Sequence, residues 1–262
     1  MVALVNHFPP LLPSSRVMKP NPIRLAMWSG PRNISTAMMR AWENRPDTFV
    51  TDEPLYAHYL KETGAPHPGA DKVIAHYEND WRKVVAWLTG PVPEGKAIWF
   101  QKHMAHHLLP HLELDWLDEL TNCFLIREPR EMLTSLIAVT PNPSLPDTGL
   151  PQQVKLFERV RGKTGKIPPV VDSRDLQNSP RGVLAKLCTA VGAEFADAML
   201  QWPPGVRATD GIWARHWYAS VEKTTTFHPY KPKSVEVPPQ FAGLLKGCEA
   251  LYAQLHPHRI VA

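Results

Sequence analysis

Short apolar runs alternate with amphipathic stretches along this chain, and turn-forming residues separate them. Residues 23–28 (IRLAMW) read as a buried strand, followed by SGPRN and a helical pattern through Trp42. A second strand is expected at 48–51 (TFVT), then DEP and a helix containing Leu55, Tyr59 and Leu60. Val73, Ile74, Tyr77, Trp81, Val84, Val85 and Leu88 recur at helical spacing and predict one helix over 71–88. A strand at 96–101 (KAIWFQ) leads into a His-rich segment closed by Pro110, then helical residues at 112–119. The strand 122–126 (NCFLI) precedes a helix from about Pro129 to Val139. Proline-rich residues 140–151 read as a loop, before a helix at 152–161, a strand within PPVVDSRDL and a helix near 180–191. From residue 200 the chain is rich in Trp, Pro and His and ends in a helix at about 238–255.

Strands alternate with helices, their cores are short and apolar, and no Asn-Gly hairpin signal appears. This predicts an α/β fold of three layers, a central and mainly parallel sheet flanked by helices. Residues 1–20 hold four prolines and no periodic pattern, so they read as a flexible extension, with Met18 an alternative start. They lack the basic region and apolar core of a signal peptide. Residues 21–262 are expected to form a single domain.

Composition narrows the classes. At 44% hydrophobic and 21% charged, the 262 residues can bury a full core, which excludes a disordered chain. No run approaches the roughly eighteen apolar residues of a membrane span. The cysteines Cys123, Cys188 and Cys248 are odd in number and far apart. That excludes a disulfide scaffold and a thiolate zinc site, and fits a reducing, cytoplasmic compartment. A net charge of +4 suits an anionic small molecule as well as nucleic acid. No Lys/Arg run or RNA motif favours the second, so nucleic acid is not an expected partner. Oligomeric state stays open, a homo-oligomer included.

In a parallel sheet, ligands sit beyond the carboxyl ends of the strands. After the first strand comes WSGPRNISTAMM, residues 28–39, where a tight turn opens a helix. Unpaired N–H groups of Asn33, Ile34, Ser35 and Thr36 and the helix dipole would converge there on an anion. Arg32 adds a planar fork suited to phosphate or sulfate oxygens. The bland alternative is that Ser35 or Thr36 merely caps the helix. This is no Walker A loop, since Asn33-Ile34 stand where Gly-Lys would be. The GKT at 162–164 precedes a strand and has Phe157 at the first glycine position. The second informative segment is FLIREPREMLTSLIAV, residues 124–139, with Arg127 at a strand end and Ser135 eight residues beyond.

The loop at 29–36 and the pair Arg127 and Ser135 resemble, in type and order, the signature of sulfotransferases that use 3′-phosphoadenosine 5′-phosphosulfate. That family is related to the P-loop proteins. WSGPRNIST with TDEPLYAHYLKETG resembles, more narrowly, bacterial sulfotransferase-like proteins and the amino-terminal region of plant aminotransferase-like proteins. The resemblance implies that the first loop holds the 5′-phosphosulfate, while Arg127 and Ser135, in REPREMLTS, hold the 3′-phosphate. Two departures stand out. Arg32 and Ile34 occupy the Lys and Gly positions of the usual P-K-S-G-T-T loop, and the carboxy-terminal G-x-x-G-x-x-K element has no clear match. Residues 210–227 are the candidate replacement.

Two groups compete as general base for an acceptor hydroxyl. His103 follows Lys102 in FQKHMAHH, which resembles the K-T-H segment of cytosolic sulfotransferases. Glu53 in TDEP stands where carbohydrate sulfotransferases use a carboxylate. His103 is the first choice, with Lys102 assisting at the transferring group, Arg32 neutralising the leaving phosphate and Glu53 the rival base. The histidines at 103, 106, 107 and 111 invite a zinc reading, but Pro110 interrupts them and no Glu completes H-E-x-x-H, so no metal is expected. The expected function is sulfuryl transfer to a hydroxyl or amine of a small molecule. A small-molecule kinase with an aberrant phosphate loop, or a non-catalytic nucleotide-binding protein, is the alternative.

Overall fold

The computed structural model describes residues 21–232 and 236–262, so the extension read at 1–20 lies outside the described residues. Among the described residues five strands carry the fold: β1 (Ile23–Ser29), β2 (Thr48–Asp52), β3 (Ile98–Met104), β4 (Thr121–Ile126) and β5 (Val170–Asp172). They pair in parallel throughout, in the order β2-β3-β1-β4-β5. Connecting or flanking them are α1 (Ser35–Glu43), α2 (Tyr56–Thr63), α3 (Ala70–His76), α4 (Trp81–Leu88), α5 (Pro129–Ile137), α6 (Leu150–Thr164), α7 (Ser173–Asn178), α8 (Pro180–Val191), α9 (Ala214–Trp217) and α10 (Ala242–Leu255).

Both sheet faces are covered because side chains alternate along each strand. Leu25, Met27, Phe100 and Leu125 pack with Met38 and Trp42 of α1 and Leu187 of α8. Ala26, Trp28, Trp99 and Phe124 pack the opposite way, with Leu88 of α4 and Phe157 of α6. The result is the expected three-layer α/β architecture. From β1 the chain goes out to β2 and returns to β3, then crosses to β4 and β5 on the other side. Loops therefore part above β1, where such sheets bind ligands.

Three elements differ from the sequence expectation. The helix over 71–88 is two helices, because polar side chains between them compete for the backbone. Asn79 Nδ2 donates to the Ile74 carbonyl (3.2 Å), Glu78 Oε1 accepts from the Asp80 N–H (2.9 Å), and Asp80 caps α4 through the Arg82 N–H (2.9 Å). The helical stretch at 112–119 is only a 3-10 turn over Asp115–Glu119. Most consequential, β3 does not end at Gln101 but continues through Met104.

The turn after β1 is packed tightly against the loop before α6. Gln153 Nε2 donates to the carbonyls of Trp28 (2.9 Å) and Leu125 (3.0 Å), which ties α6 to the ends of β1 and β4. A Cβ on Gly30 would lie 2.2 Å from the Thr148 carbonyl oxygen, a backbone atom with no freedom to give way. Gly30→Ala is expected to destabilise the fold by about 1–3 kcal/mol, the usual scale for overpacking. Gly243→Ala, in α10 with open space around its Cβ, is the control and should be neutral or mildly stabilising. Urea midpoints compare the two; equal midpoints would contradict this packing.

Candidate active site

A cavity of about 750 Å³ opens beyond the carboxyl ends of β1, β2, β3 and β4. One half is built by the β1–α1 turn and α5. Arg32, Asn33, Ile34, Ser35 and Thr36 line it, together with Arg127 and Ser135, so the structure brings the two phosphate segments into one cavity. The N-terminus of α1 has neither an acidic residue in its first turn nor a side-chain cap. Ser35 and Thr36 thus do not cap the helix. Among the described residues, the N–H groups of Ser35, Thr36 and Ala37 find no hydrogen-bond partner. Asn33 points down instead, its Nδ2 donating to the Leu125 carbonyl (3.2 Å). Ile34 takes the left-handed conformation (φ 57°) that costs a β-branched residue energy and that glycine adopts freely.

The cations of this half are held close together. Arg32 Nε donates to Ser135 Oγ (2.9 Å), and Arg127 Nη1 donates to the Arg32 carbonyl (2.7 Å). Arg127 also pairs with Glu131 (3.0 Å). Partial burial and the neighbouring Arg127 cation hold the Arg32 guanidinium below its ordinary pKa. Two crowded guanidiniums and an open helix N-terminus form a basin for an anion.

At the centre lies Lys102. Its ammonium is buried and donates to Asp52 Oδ1 (2.8 Å), Glu53 Oε1 (2.5 Å) and the Tyr218 hydroxyl oxygen (2.7 Å). Tyr218 in turn donates to Asp52 (2.7 Å to Oδ2), which also accepts from the Gly211 N–H (3.3 Å). Burial alone would lower the Lys102 pKa, but the Asp52 and Glu53 carboxylates hold it well above the usual lysine value. Glu53 goes up, because burial and the Asp52 charge outweigh one ammonium shared between two carboxylates.

The far half is lined by rings. Tyr56 and Tyr59 on α2, His67, His106, His107 and Trp217 face it, with Asp147 among the lining residues. The His107 ring stacks on both Tyr56 (4.9 Å) and Tyr59 (4.7 Å). Burial lowers His107 well below the ordinary histidine pKa and His106 to about 4, so both rings are neutral.

Of the two candidate bases, the structure brings only Glu53 to the cavity. Because β3 runs through Met104, Lys102 and His103 project to opposite faces of the sheet. His103 stacks on Trp28 (ring centroids 4.2 Å apart) and its Nε2 lies 3.2 Å from Gln101 Oε1. Burial, then the Lys102 charge, push it down to about 3. The four histidines of the zinc reading also diverge: His111 bonds His58 (3.2 Å), while His106 and His107 line the cavity. Asp172 acts as a helix cap, accepting from the Arg174 N–H (2.8 Å). Sequence reading missed Asp52 and Tyr218. Asp52 carried a signal in its place at the end of β2, whereas Tyr218 is 166 residues from its carboxylate partner and carried none. Trp217, Tyr218 and residues 226–231 form one wall, within and beyond the segment expected to replace the missing carboxy-terminal element.

The family described as "Sulfotransferase domain" matches residues 23–253. Branched-chain-amino-acid aminotransferase-like protein 2 of Arabidopsis thaliana is 33% identical over 231 residues, 88% of this chain and 41% of that protein. Protein 1 of the same name is 34% identical over 234 residues, with the same coverage. The chain thus spans about two fifths of the length of these relatives. Among solved structures, the sulfotransferase domain of the Synechococcus PCC 7002 olefin synthase superposes with a TM-score of 0.57 at 20% identity, covering 89% of this chain and 95% of that one. The sulfotransferase domain from the curacin biosynthetic pathway gives 0.57 at 15% identity, covering 92% and 99%. These likenesses show the fold.

The buried neutral histidines make stability depend on pH. Folded His103 titrates near 3 against 6.5 for an ordinary histidine, so between those values the unfolded chain binds the extra proton. Stability contributed this way is complete above about pH 6.5 and is lost as pH falls. His103 and His107 should each remove up to about 1.4 kcal/mol per pH unit below that point. Urea unfolding at stepped pH between 7.5 and 5 measures the slope, which His103→Gln should reduce by about one proton's share. A flat profile would contradict the buried neutral rings.

Proposed function

The chain belongs to the sulfotransferase domain family, and from that premise we propose that it moves a sulfuryl group from 3′-phosphoadenosine 5′-phosphosulfate to a hydroxyl or amine of a small molecule. One observation carries this reading: a single cavity joins an uncapped helix N-terminus and two guanidiniums to a largely buried carboxylate held by a lysine.

In this reading the first loop takes the 5′-phosphosulfate, with Arg32 and the N–H groups of Ser35, Thr36 and Ala37 as donors. Arg127 and Ser135 take the 3′-phosphate. The residues suit that anion. Arg127 keeps N–H groups of its fork beyond those given to Glu131 and the Arg32 carbonyl. Arg32 keeps its terminal nitrogens, since only Nε is engaged with Ser135. Residues 226–231, on the wall that also carries Trp217 and Tyr218, serve in place of the missing carboxy-terminal element.

Transfer is then positioning plus charge stabilisation, as in phosphoryl transfer. A bond forms between the acceptor oxygen and sulfur while the bond from sulfur to the bridging oxygen breaks, and adenosine 3′,5′-bisphosphate leaves. The acceptor proton passes to Glu53, which takes the place of His103 as base. Asp52, Glu53 and Lys102 together carry one net negative charge, and a proton on Glu53 makes this buried group neutral. Burial thus favours proton uptake here, while Lys102 stays charged between Asp52 and Tyr218. Arg32 offsets the charge growing on the leaving oxygen.

Arg127→Ala is expected to weaken binding of adenosine 3′,5′-bisphosphate by about 2–4 kcal/mol, as when a charged hydrogen-bonded pair loses a partner. AMP, without the 3′-phosphate, should lose little. Calorimetric titration with both ligands checks this, and equal losses would make Arg127 a structural residue.

Glu53→Gln is expected to lower turnover by roughly 10²–10⁴-fold, the scale of a lost general base. Bisphosphate affinity should be kept. His103→Gln should leave the acidic limb of the pH–rate profile in place. Loss of that limb in the histidine variant, with turnover retained in Glu53→Gln, would reverse the assignment.

A further inference from the structure

The two halves of the cavity carry opposite electrostatic character. Arg32, Arg127 and Lys231 line the half that the proposed reading gives to the phosphates. The other half carries Glu53 and Asp147, and among the described residues its one ammonium, Lys102, has every N–H committed to Asp52, Glu53 and Tyr218. Its histidines add no charge. Burial lowers His67 and His107 and brings His106 to about 4.

Around these carboxylates the lining is aromatic and continuous. His107 stacks on Tyr56 and Tyr59, and His67 sits 5.8 Å from both the Tyr56 and Trp217 rings. Asp147 is fixed by the Ser144 N–H (2.8 Å) and hydroxyl (2.7 Å), close enough to act on the ionisation of Tyr59, His67 and His106. Aromatic rings beside an anchored carboxylate are the setting in which an organic cation is held, and with His107 over one face of each tyrosine, Trp217 is the more open ring. Among the described residues, an anionic acceptor would meet two carboxylates there and no free cation. A neutral phenol would use the rings but gain nothing from Asp147.

We propose that the acceptor is a small alcohol carrying an ammonium group, its cation held by Tyr56, Tyr59, Trp217 and Asp147 and its hydroxyl directed to Glu53. This rests on the sulfuryl-transfer reading. The S–O bond forms at that hydroxyl, its proton goes to Glu53, and adenosine 3′,5′-bisphosphate departs. The product is a zwitterionic sulfate ester. Because the same cavity of about 750 Å³ must hold the donor, the acceptor is small.

The test uses three probes of similar size on the full chain: choline, its uncharged isostere 3,3-dimethylbutan-1-ol, and anionic glycolate. Bisphosphate binding is measured first, and its absence would overturn the underlying reading and this proposal with it. With the bisphosphate bound, binding of each probe is followed by tryptophan fluorescence, and transfer to each is measured with the donor. Choline should be favoured over the isostere by about 10-fold or more, with glycolate weakest. Asp147→Asn and Trp217→Ala should each shrink that preference, to about threefold or less, while bisphosphate still binds. Bisphosphate binding without a preference for choline, or a preference that both variants retain, would overturn the acceptor proposal alone.

Discussion

A charged lysine buried between two carboxylates and a phenol organises this protein. Taking the Lys102 ammonium out of water is costly, and only a full set of partners offsets it. Those partners come from separate places: Asp52 from the end of β2, Glu53 from the corner before α2, Tyr218 from just after α9. Satisfying one cation therefore joins the sheet to a segment more than a hundred residues downstream. Such a network adds little net stability over a well-packed apolar substitute, but losing one member leaves an uncompensated charge at a cost of about 3–5 kcal/mol. What it provides is placement. Glu53 is held at the cavity by the same contact that neutralises Lys102, while burial and the Asp52 charge raise its proton affinity against that contact.

The backbone around the cavity reflects the same constraint. Of the five described non-glycine residues with positive φ, three line it: Arg32 (64°), Ile34 (57°) and Glu53 (42°). Conformations of this kind cost on the order of 1–3 kcal/mol and persist where surrounding structure over-determines them. The surroundings here are specific. Arg127 grips the Arg32 carbonyl, the Glu53 N–H donates to the Lys102 carbonyl (2.9 Å), and Gly30 lies under Thr148. Strain is thus gathered at the two corners that carry the anion-binding loop and the carboxylate. The rigid sheet beneath absorbs it.

The layered parallel sheet and the tight turn that opens α1 after β1 were legible in the sequence, because each is local; Arg127 was singled out through the family resemblance, and its contact with that turn spans 95 residues. Apolar alternation marks the strands, and Ser-Thr at a helix start after a tight turn has a direct physical meaning. The choice between His103 and Glu53 was not legible, because it depends on where β3 ends. KAIWFQ carries the apolar pattern, while KHM continues the strand on the strength of parallel pairing with β1 through Ser29↔Met104. A three-residue extension decides which side chain reaches the cavity. Tyr218 was hidden for a different reason, since only tertiary structure brings it to Asp52. The polar run Glu78–Asp80 was visible, and its power to break a helix lay in side-chain bonds that spacing does not display.

In the proposed reading, the cationic half of the cavity takes a phosphosulfate and its 3′-phosphate, and Glu53 faces it from the other half. Calorimetric titration of the intact chain with adenosine 3′,5′-bisphosphate, ATP and AMP tests that description most directly. The account predicts that the 3′,5′-bisphosphate binds tightest, at least roughly 30-fold tighter than AMP, as a charge-assisted contact to the extra phosphate requires. ATP should bind no better than AMP. Tightest binding by ATP, or equal binding of AMP and the bisphosphate, would contradict it.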